Sequence, residues 1–191
     1  MSPKSTLVDY LKKRVEDYNA YIANHINNVK LCYRYYGKEL CERLEVDYEE
    51  LGKLIEVHDL SKYSEEEFDG FRCYYFPTPE EERNDELRGF RKSKYNAAWL
   101  HHLRNNAHHP EYWIYMDDES KTIKCKPMDR IYVAEMLIDW AALSIFFNST
   151  AYKYWIDSIH EKPLHVDTRE LVEHCIELFQ DPIDPDKLDR G

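Results

Sequence analysis

The sequence predicts an all-α, single-domain helical bundle. Apolar residues recur at i, i+3, i+4 spacing over most of the 191 residues. Only 5 glycines are present, too few for a turn-rich all-β fold or a Gly-rich phosphate loop. A composition that is 43% hydrophobic, with 16 tyrosines, 7 phenylalanines and 4 tryptophans, supplies one substantial core.

The first helix is expected to start at Thr6, with Asp9 completing a capping-box-like pair. Its stripe runs Leu7, Leu11, Val15, Tyr18, Ile22, Ile26, Val29, Tyr33 and Tyr36, and Gly37 is the expected stop. His25 lies three after Ile22 and four before Val29, on the core-facing stripe. A second helix starts near Asp47 and runs through Leu51, Leu54 and Ile55 to His58-Asp59. Those two fall four residues after Leu54 and Ile55, on or beside the buried face. Ser64, with Glu67 three on, caps a third segment through Phe68, Phe71 and Tyr75. Pro77 and Pro79 end it, and Glu80 to Asp85 reads as a solvated connection.

The fourth helix covers about Asp85 to Asn105, with Leu87, Phe90, Ala97, Ala98 and His101 or His102 turned inward. Pro110 ends helical backbone. Trp113 to Met116 and Thr122 to Lys126 read as a small hairpin or a loop. Pro127 suits the first turn of a helix from Asp129 to Phe147. A short helix spans about Thr150 to His160, and the last starts at Thr168. The helices of 150–180 are expected to pack on the rest of this single domain.

A net charge of −11 argues against a general nucleic-acid binder or an anionic-membrane binder, but leaves room for a basic pocket holding a small phosphorylated ligand. The five cysteines are scattered without a CxxC, which fits a reducing compartment. The N-terminal stretch has no continuous apolar region, and Ile131 to Phe147 carries Glu135 and Asp139. The expectation is a cytoplasmic protein with no membrane contact.

Several polar residues fall on faces expected to be buried, where each is costly unless satisfied. They are His25, His58 with Asp59, the cluster His101 to His109, and Asp139, which follows Met136 by three. Imidazole and carboxylate together suit Zn, Fe, Mn, Co or Mg. The dipeptide alone reads first as a core histidine beside a capping aspartate, and the other buried polar residues shift that reading towards a metal. Glu135, one turn before Asp139, reads as a ligand, a partner of a ligand or a base. His102 and Asn106 are four apart. Of His108 and His109, His109 is favoured to reach the site, with His108 the alternate; the pair also reads as packing against Trp113.

The order His25 … His58-Asp59 … Asp139 resembles the HD superfamily of metal-dependent phosphohydrolases. The stretch His58-Asp59-Leu60-Ser61-Lys62 is similar to its HD-x-x-K form. The resemblance implies that His25, His58, Asp59 and Asp139 hold one divalent metal, and that His102 and His109 complete a second position in a two-metal site. The resemblance, which covers a metal-site core of roughly residues 20 to 145, places Lys62 near a substrate phosphate; Arg104, Asn106 and His109 are further residues expected to contact the substrate. Asp59, Lys62, Glu135 and His102 are the expected catalytic residues. The implied substrate is a small phosphorylated compound, a nucleotide by preference, as phosphomonoester or phosphodiester. Alternatives are a di-iron oxygenase of the same superfamily and a non-catalytic helical binding protein with a structural metal; a homo-oligomer is compatible with each. The run from His102 to Trp113, with Glu135-Met136-Leu137-Ile138-Asp139-Trp140, is also similar to an uncharacterised bacterial and phage family bearing HDxSK and HxxxNxHHxEYW signatures.

Overall fold

The computed structural model describes residues 6–158 and 161–183. The protein is all-α, with eight α-helices and one two-stranded antiparallel sheet among the described residues. The chain divides into two compact units, one of residues 1–24 and 59–105, the other of residues 25–58 and 106–191.

Helix α1 (Leu7–Leu44) supplies its first part to one unit and the remainder to the other. Its start is as expected: the Thr6 hydroxyl accepts from the Asp9 N–H at 3.2 Å while Asp9 accepts from the Thr6 N–H at 2.9 Å. Its end is not. The helix continues through Gly37, where a Cβ would lie 2.9 Å from both the Tyr33 and Tyr48 rings. Glycine here makes room for that stacked pair, whose centroids are 4.5 Å apart, and does not terminate the helix.

In the unit of residues 25–58 and 106–191, α2 (Tyr48–Val57) is capped by Asp47, whose side chain accepts from the Glu50 N–H. The short hairpin takes form as β1 (Ile114–Met116) and β2 (Ile123–Cys125), with Tyr115 opposite Lys124. Helix α6 (Arg130–Phe147) is this unit's central element. Val133, Ala134, Leu137, Ile138 and Ala141 are fully buried, as are Val29, Cys32 and Leu44 of α1 and Leu51 of α2 around it. A helix apolar on nearly every side belongs inside a protein. Helix α7 (Ala151–Ser158) packs on α6 through Trp155, stacked on Trp140; the expected end at His160 lies outside the described residues. Helix α8 (Val166–Cys175) starts two residues earlier than expected. His165 caps it by accepting from the Asp167 N–H, and the Thr168 hydroxyl instead accepts from the Met128 N–H.

The other unit holds a 3-10 turn at Leu60–Tyr63, then α3 (Phe68–Tyr75), α4 (Pro79–Arg83) and α5 (Asp85–Asn105). The expected connection after Pro79 is helix α4, because Thr78 and Glu81 form a reciprocal capping box with Pro79 in the first turn. Phe90 is 58% exposed and Ala97 is also exposed, contrary to the inward reading, since α5 packs on α3 along a narrower face centred on Ala98 and His102. Tyr18 of α1 is fully buried against Phe68, and its hydroxyl donates to the Lys62 carbonyl at 3.1 Å.

No single helix among the described residues is long and apolar enough to cross a membrane.

Two glycines separate packing from propensity. A Cβ on Gly70 would meet the Ala98 Cβ at 2.6 Å and the Lys94 carbonyl oxygen at 2.7 Å, whereas one on Gly89 meets nothing within 4 Å. Gly70→Ala should therefore lose about 1–3 kcal/mol through overpacking. Gly89→Ala should gain about 0.5–1 kcal/mol from helix propensity. Urea denaturation of both variants checks this; equal effects would mean that α3 and α5 do not approach as closely as described.

Candidate metal centre

His58 and Asp59 do not leave α2 on its face, as the spacing suggested. His58 is the C-cap, with φ −52° and ψ 129°, and Asp59 adopts the left-handed conformation at φ 58°. Aspartate is among the few side chains that tolerate this region.

His58 belongs with residues of its own unit. α1 supplies His25 and α6 supplies Glu135 and Asp139, one helical turn apart. His108 follows α5 on non-helical backbone. All five are nearly inaccessible to solvent. Asp139 Oδ1 lies 3.1 Å from His25 Nε2 and 3.6 Å from His58 Nε2, and it takes no in-line hydrogen bond. One nitrogen from each histidine and one Asp139 oxygen lie within 4.8 Å of one another, a grouping that can hold a metal ion. On the other edge of the His58 ring, Nδ1 lies 2.8 Å from Glu135 Oε1, and His108 Nδ1 lies 3.3 Å from the same oxygen.

This is the usual construction around a coordinating histidine: a carboxylate holds the proton on one ring nitrogen and leaves the lone pair of the other aimed at the cation. Burial pushes both carboxyl groups up. For Glu135, the bonds to His108 and His58 overcome it and hold the group at about 2. For Asp139, attraction from His25 and His58 overcomes it and holds the group well below the usual carboxylate range. Both are therefore anions at neutral pH, inside the protein.

The second unit contains a parallel arrangement. His102 is fully buried on α5, with Nδ1 2.9 Å from Glu67 Oε2 and Nε2 3.3 Å from Asp59 Oδ1. The Lys62 ammonium binds Asp59 Oδ2 at 2.5 Å. Glu67 also accepts from the Ser61 hydroxyl at 3.0 Å and pairs with His101 Nδ1 at 2.8 Å. The Phe71 ring meets the His102 ring edge-on and Trp99 stacks on it, fixing its plane. Burial lowers the His102 pKa, but hydrogen bonds to Asp59 and Glu67 outweigh it and raise the net value.

Of the residues expected from the sequence, His25, His58, Glu135 and Asp139 come together in one unit, and Asp59, Lys62 and His102 in the other. His108, the alternate, lies beside His58 and Glu135: the non-helical backbone after Asn105 sets its ring centroid 4.4 Å from that of His58 and its Nδ1 3.3 Å from Glu135 Oε1. Asn106 does not share a helical face with His102, since α5 ends at Asn105; its carbonyl accepts from the His109 N–H. His109 is half-buried with its ring 4.4 Å from that of His108, and Arg104 is exposed on the last turn of α5. Glu67 was missed. Its spacing from Ser64 reads as a capping pair, yet its carboxylate serves two histidines 34 and 35 residues later. No local pattern carries that information.

The fold and these clusters define an all-α protein with buried histidine–carboxylate groups able to hold a metal ion. The chain belongs to a family of unknown function, DUF5662, whose model matches residues 14–178. No curated protein and no solved structure matches the chain.

Acidification tests the Glu135 assignment. A carboxyl group held at about 2 in the folded chain, against about 4.5 unfolded, contributes fully above pH 4.5 and loses its contribution as pH falls towards 2. The amount at stake is on the order of 3 kcal/mol. Urea unfolding in EDTA between pH 2.5 and 7 should show a shallower acid loss for Glu135→Gln than for the native chain. Equal slopes would mean that Glu135 is not held as a buried anion.

Proposed function

We propose that this protein is a metal-dependent phosphohydrolase acting on a small phosphorylated compound. The observation that carries the metal assignment is Asp139 Oδ1, buried and facing one nitrogen from each of His25 and His58. Two neutral imidazoles and a carboxylate form a donor set suited to Mn, Co, Zn or Fe. His25, His58 and Asp139 are the ligands this unit offers. Asp59, the next residue in the chain after His58, is the fourth ligand implied by the HD resemblance.

The hydrolase assignment is supported by the order His … His-Asp … Asp and by the HD-x-x-K form ending at Lys62. A bound divalent cation would lower the pKa of a water and offset charge on a phosphoryl group. Glu135 keeps the His58 proton on Nδ1. Asp59 holds the Lys62 ammonium, and Glu67 fixes the His102 ring so that Nε2 faces Asp59. Lys62 and Arg104 supply the positive charge for phosphate oxygens. His102 is the group for proton transfer, and Glu135, held as an anion by His108 and His58, orients those rings.

A second reading, oxygen chemistry at two irons, is favoured by the repetition of the motif. His102 with Asp59 and Glu67 has the same imidazole-between-carboxylates construction as His58 with Asp139 and Glu135.

Elemental analysis of protein purified without chelators or affinity nickel tests both. The native chain should carry about one or two equivalents of metal, and both Asp139→Asn and His58→Ala should lose at least one. Mn, Co, Mg or Zn together with hydrolysis of phosphomonoesters or phosphodiesters would support the first reading, and about two Fe the second. No metal in any sample, even after incubation with these ions, would leave a buried imidazolium–carboxylate network in a helical binding protein.

A further inference from the structure

The face formed by α3 and α5 carries aromatic rings that the proposed chemistry does not use. Tyr74 stacks on Tyr95 with centroids 4.1 Å apart and 22° between planes. Tyr95 is parallel to Trp99, one helical turn later, at 6.5 Å and 3°. Trp99 in turn lies 5.8 Å from His102, at 22°. Tyr95, Trp99 and His102 form a stair down one side of α5, with Tyr74 of α3 stacked at its outer end, from half-buried positions to the buried imidazole that faces Asp59. Tyr75 flanks it, 51% exposed, with its hydroxyl 3.3 Å from that of Tyr95.

The Lys92 ammonium lies 5.0 Å from the Tyr74 centroid and 4.9 Å from that of Tyr95. Among the described residues, no ion pair occupies it. The neighbouring cations are engaged: Lys94 with Asp69, Arg88 with Asp85, and Arg91 with the Glu81 carbonyl. In a chain of net charge −11, α5 itself is basic, with Arg88, Arg91, Lys92, Lys94 and Arg104 against Asp85 and Glu86.

Packing between the helices accounts for Ala98 against Gly70, where the backbones approach most closely. It does not require the rings beyond that point to stay half-exposed, mutually parallel and topped by a cation. Parallel aromatic faces beside a positive charge suit a flat π-system carrying an anion.

We propose that Tyr74, Tyr95 and Trp99 form a stacking platform for the base of a mononucleotide, with Lys92 pairing to its phosphate. The choice of a phosphorylated ligand rests on the phosphohydrolase reading; the platform rests on the rings and Lys92. A monomeric ligand is favoured over a nucleic-acid strand because the chain as a whole would repel a polyanion.

The experiment is calorimetric titration of the full chain with adenosine, guanosine, cytidine and uridine monophosphates, ribose 5-phosphate and a single-stranded deoxyoligonucleotide. Hydrolysis of each phosphate compound is followed in parallel. At least one nucleoside monophosphate should bind about tenfold more tightly than ribose 5-phosphate. Tyr74→Leu, which keeps an apolar side chain but removes the π-face, should abolish most of that preference. Lys92→Glu, a change at an exposed position, should weaken every phosphate ligand. Circular dichroism shows that each variant is folded. Equal binding of nucleotide and ribose 5-phosphate, or unchanged preference in folded Tyr74→Leu, would overturn the platform whether or not phosphate is released. Tighter binding of the oligonucleotide would overturn the monomeric ligand. Nucleotide binding that depends on Tyr74 and Lys92 without hydrolysis of any compound would uphold the platform and count against the hydrolase reading.

Discussion

Two anions inside an otherwise apolar helix are the constraint on which this structure depends. Helix α6 packs Val133, Ala134, Leu137, Ile138 and Ala141 into the centre of its unit and carries Glu135 and Asp139 in with them. Val133, Leu137 and Ile138 each contribute roughly 1.5–3 kcal/mol on burial. An uncompensated buried carboxylate costs several kcal/mol, so the helix can be central only if donors converge on both groups. His25, His58 and His108 are those donors, drawn from three separate parts of the chain.

The two carboxylates differ in what they receive. Glu135 takes a short contact from His58 Nδ1, which fixes the ring's tautomer. Asp139 faces nitrogens that are near but not in line. The first arrangement orients a ligand and the second leaves donor atoms converging on a common point, which is the division of labour a metal ion requires. Glu67, His102 and Asp59 repeat this division, with Lys62 balancing the second oxygen of Asp59. The protein therefore contains two sets of groups, each with a glutamate behind a histidine and an aspartate in front of it.

Backbone features serve these contacts. The left-handed Asp59 opens the 3-10 turn that carries Ser61 and Lys62. Tyr18 anchors the Lys62 carbonyl, which holds the turn bearing Ser61 and Lys62. Gly70 lets α3 and α5 approach closely, bringing Glu67 at the head of α3 to the last turns of α5, where His101 and His102 lie.

The sequence by itself determined the helical class, because the 3.6-residue repeat of apolar positions is a local property that needs no partner. It determined the inward placement of His25, Glu135 and Asp139 for the same reason: each sits at a fixed offset from apolar neighbours on one helix. The cap at Thr6 was legible because the two groups that meet are three residues apart, as was the start of α2 near Asp47. What lay beyond it was whatever depends on dihedrals outside helices or on distant pairing. The left-handed turn at Asp59 broke the face on which the spacing placed it. His108 took its place beside His58 and Glu135 through non-helical backbone, of which periodicity says nothing. Gly37 did not stop α1, since the reason for that glycine is the Tyr33–Tyr48 stack. Only the tertiary structure could assign Glu67, because its partners are 34 and 35 residues away and only packing brings them together.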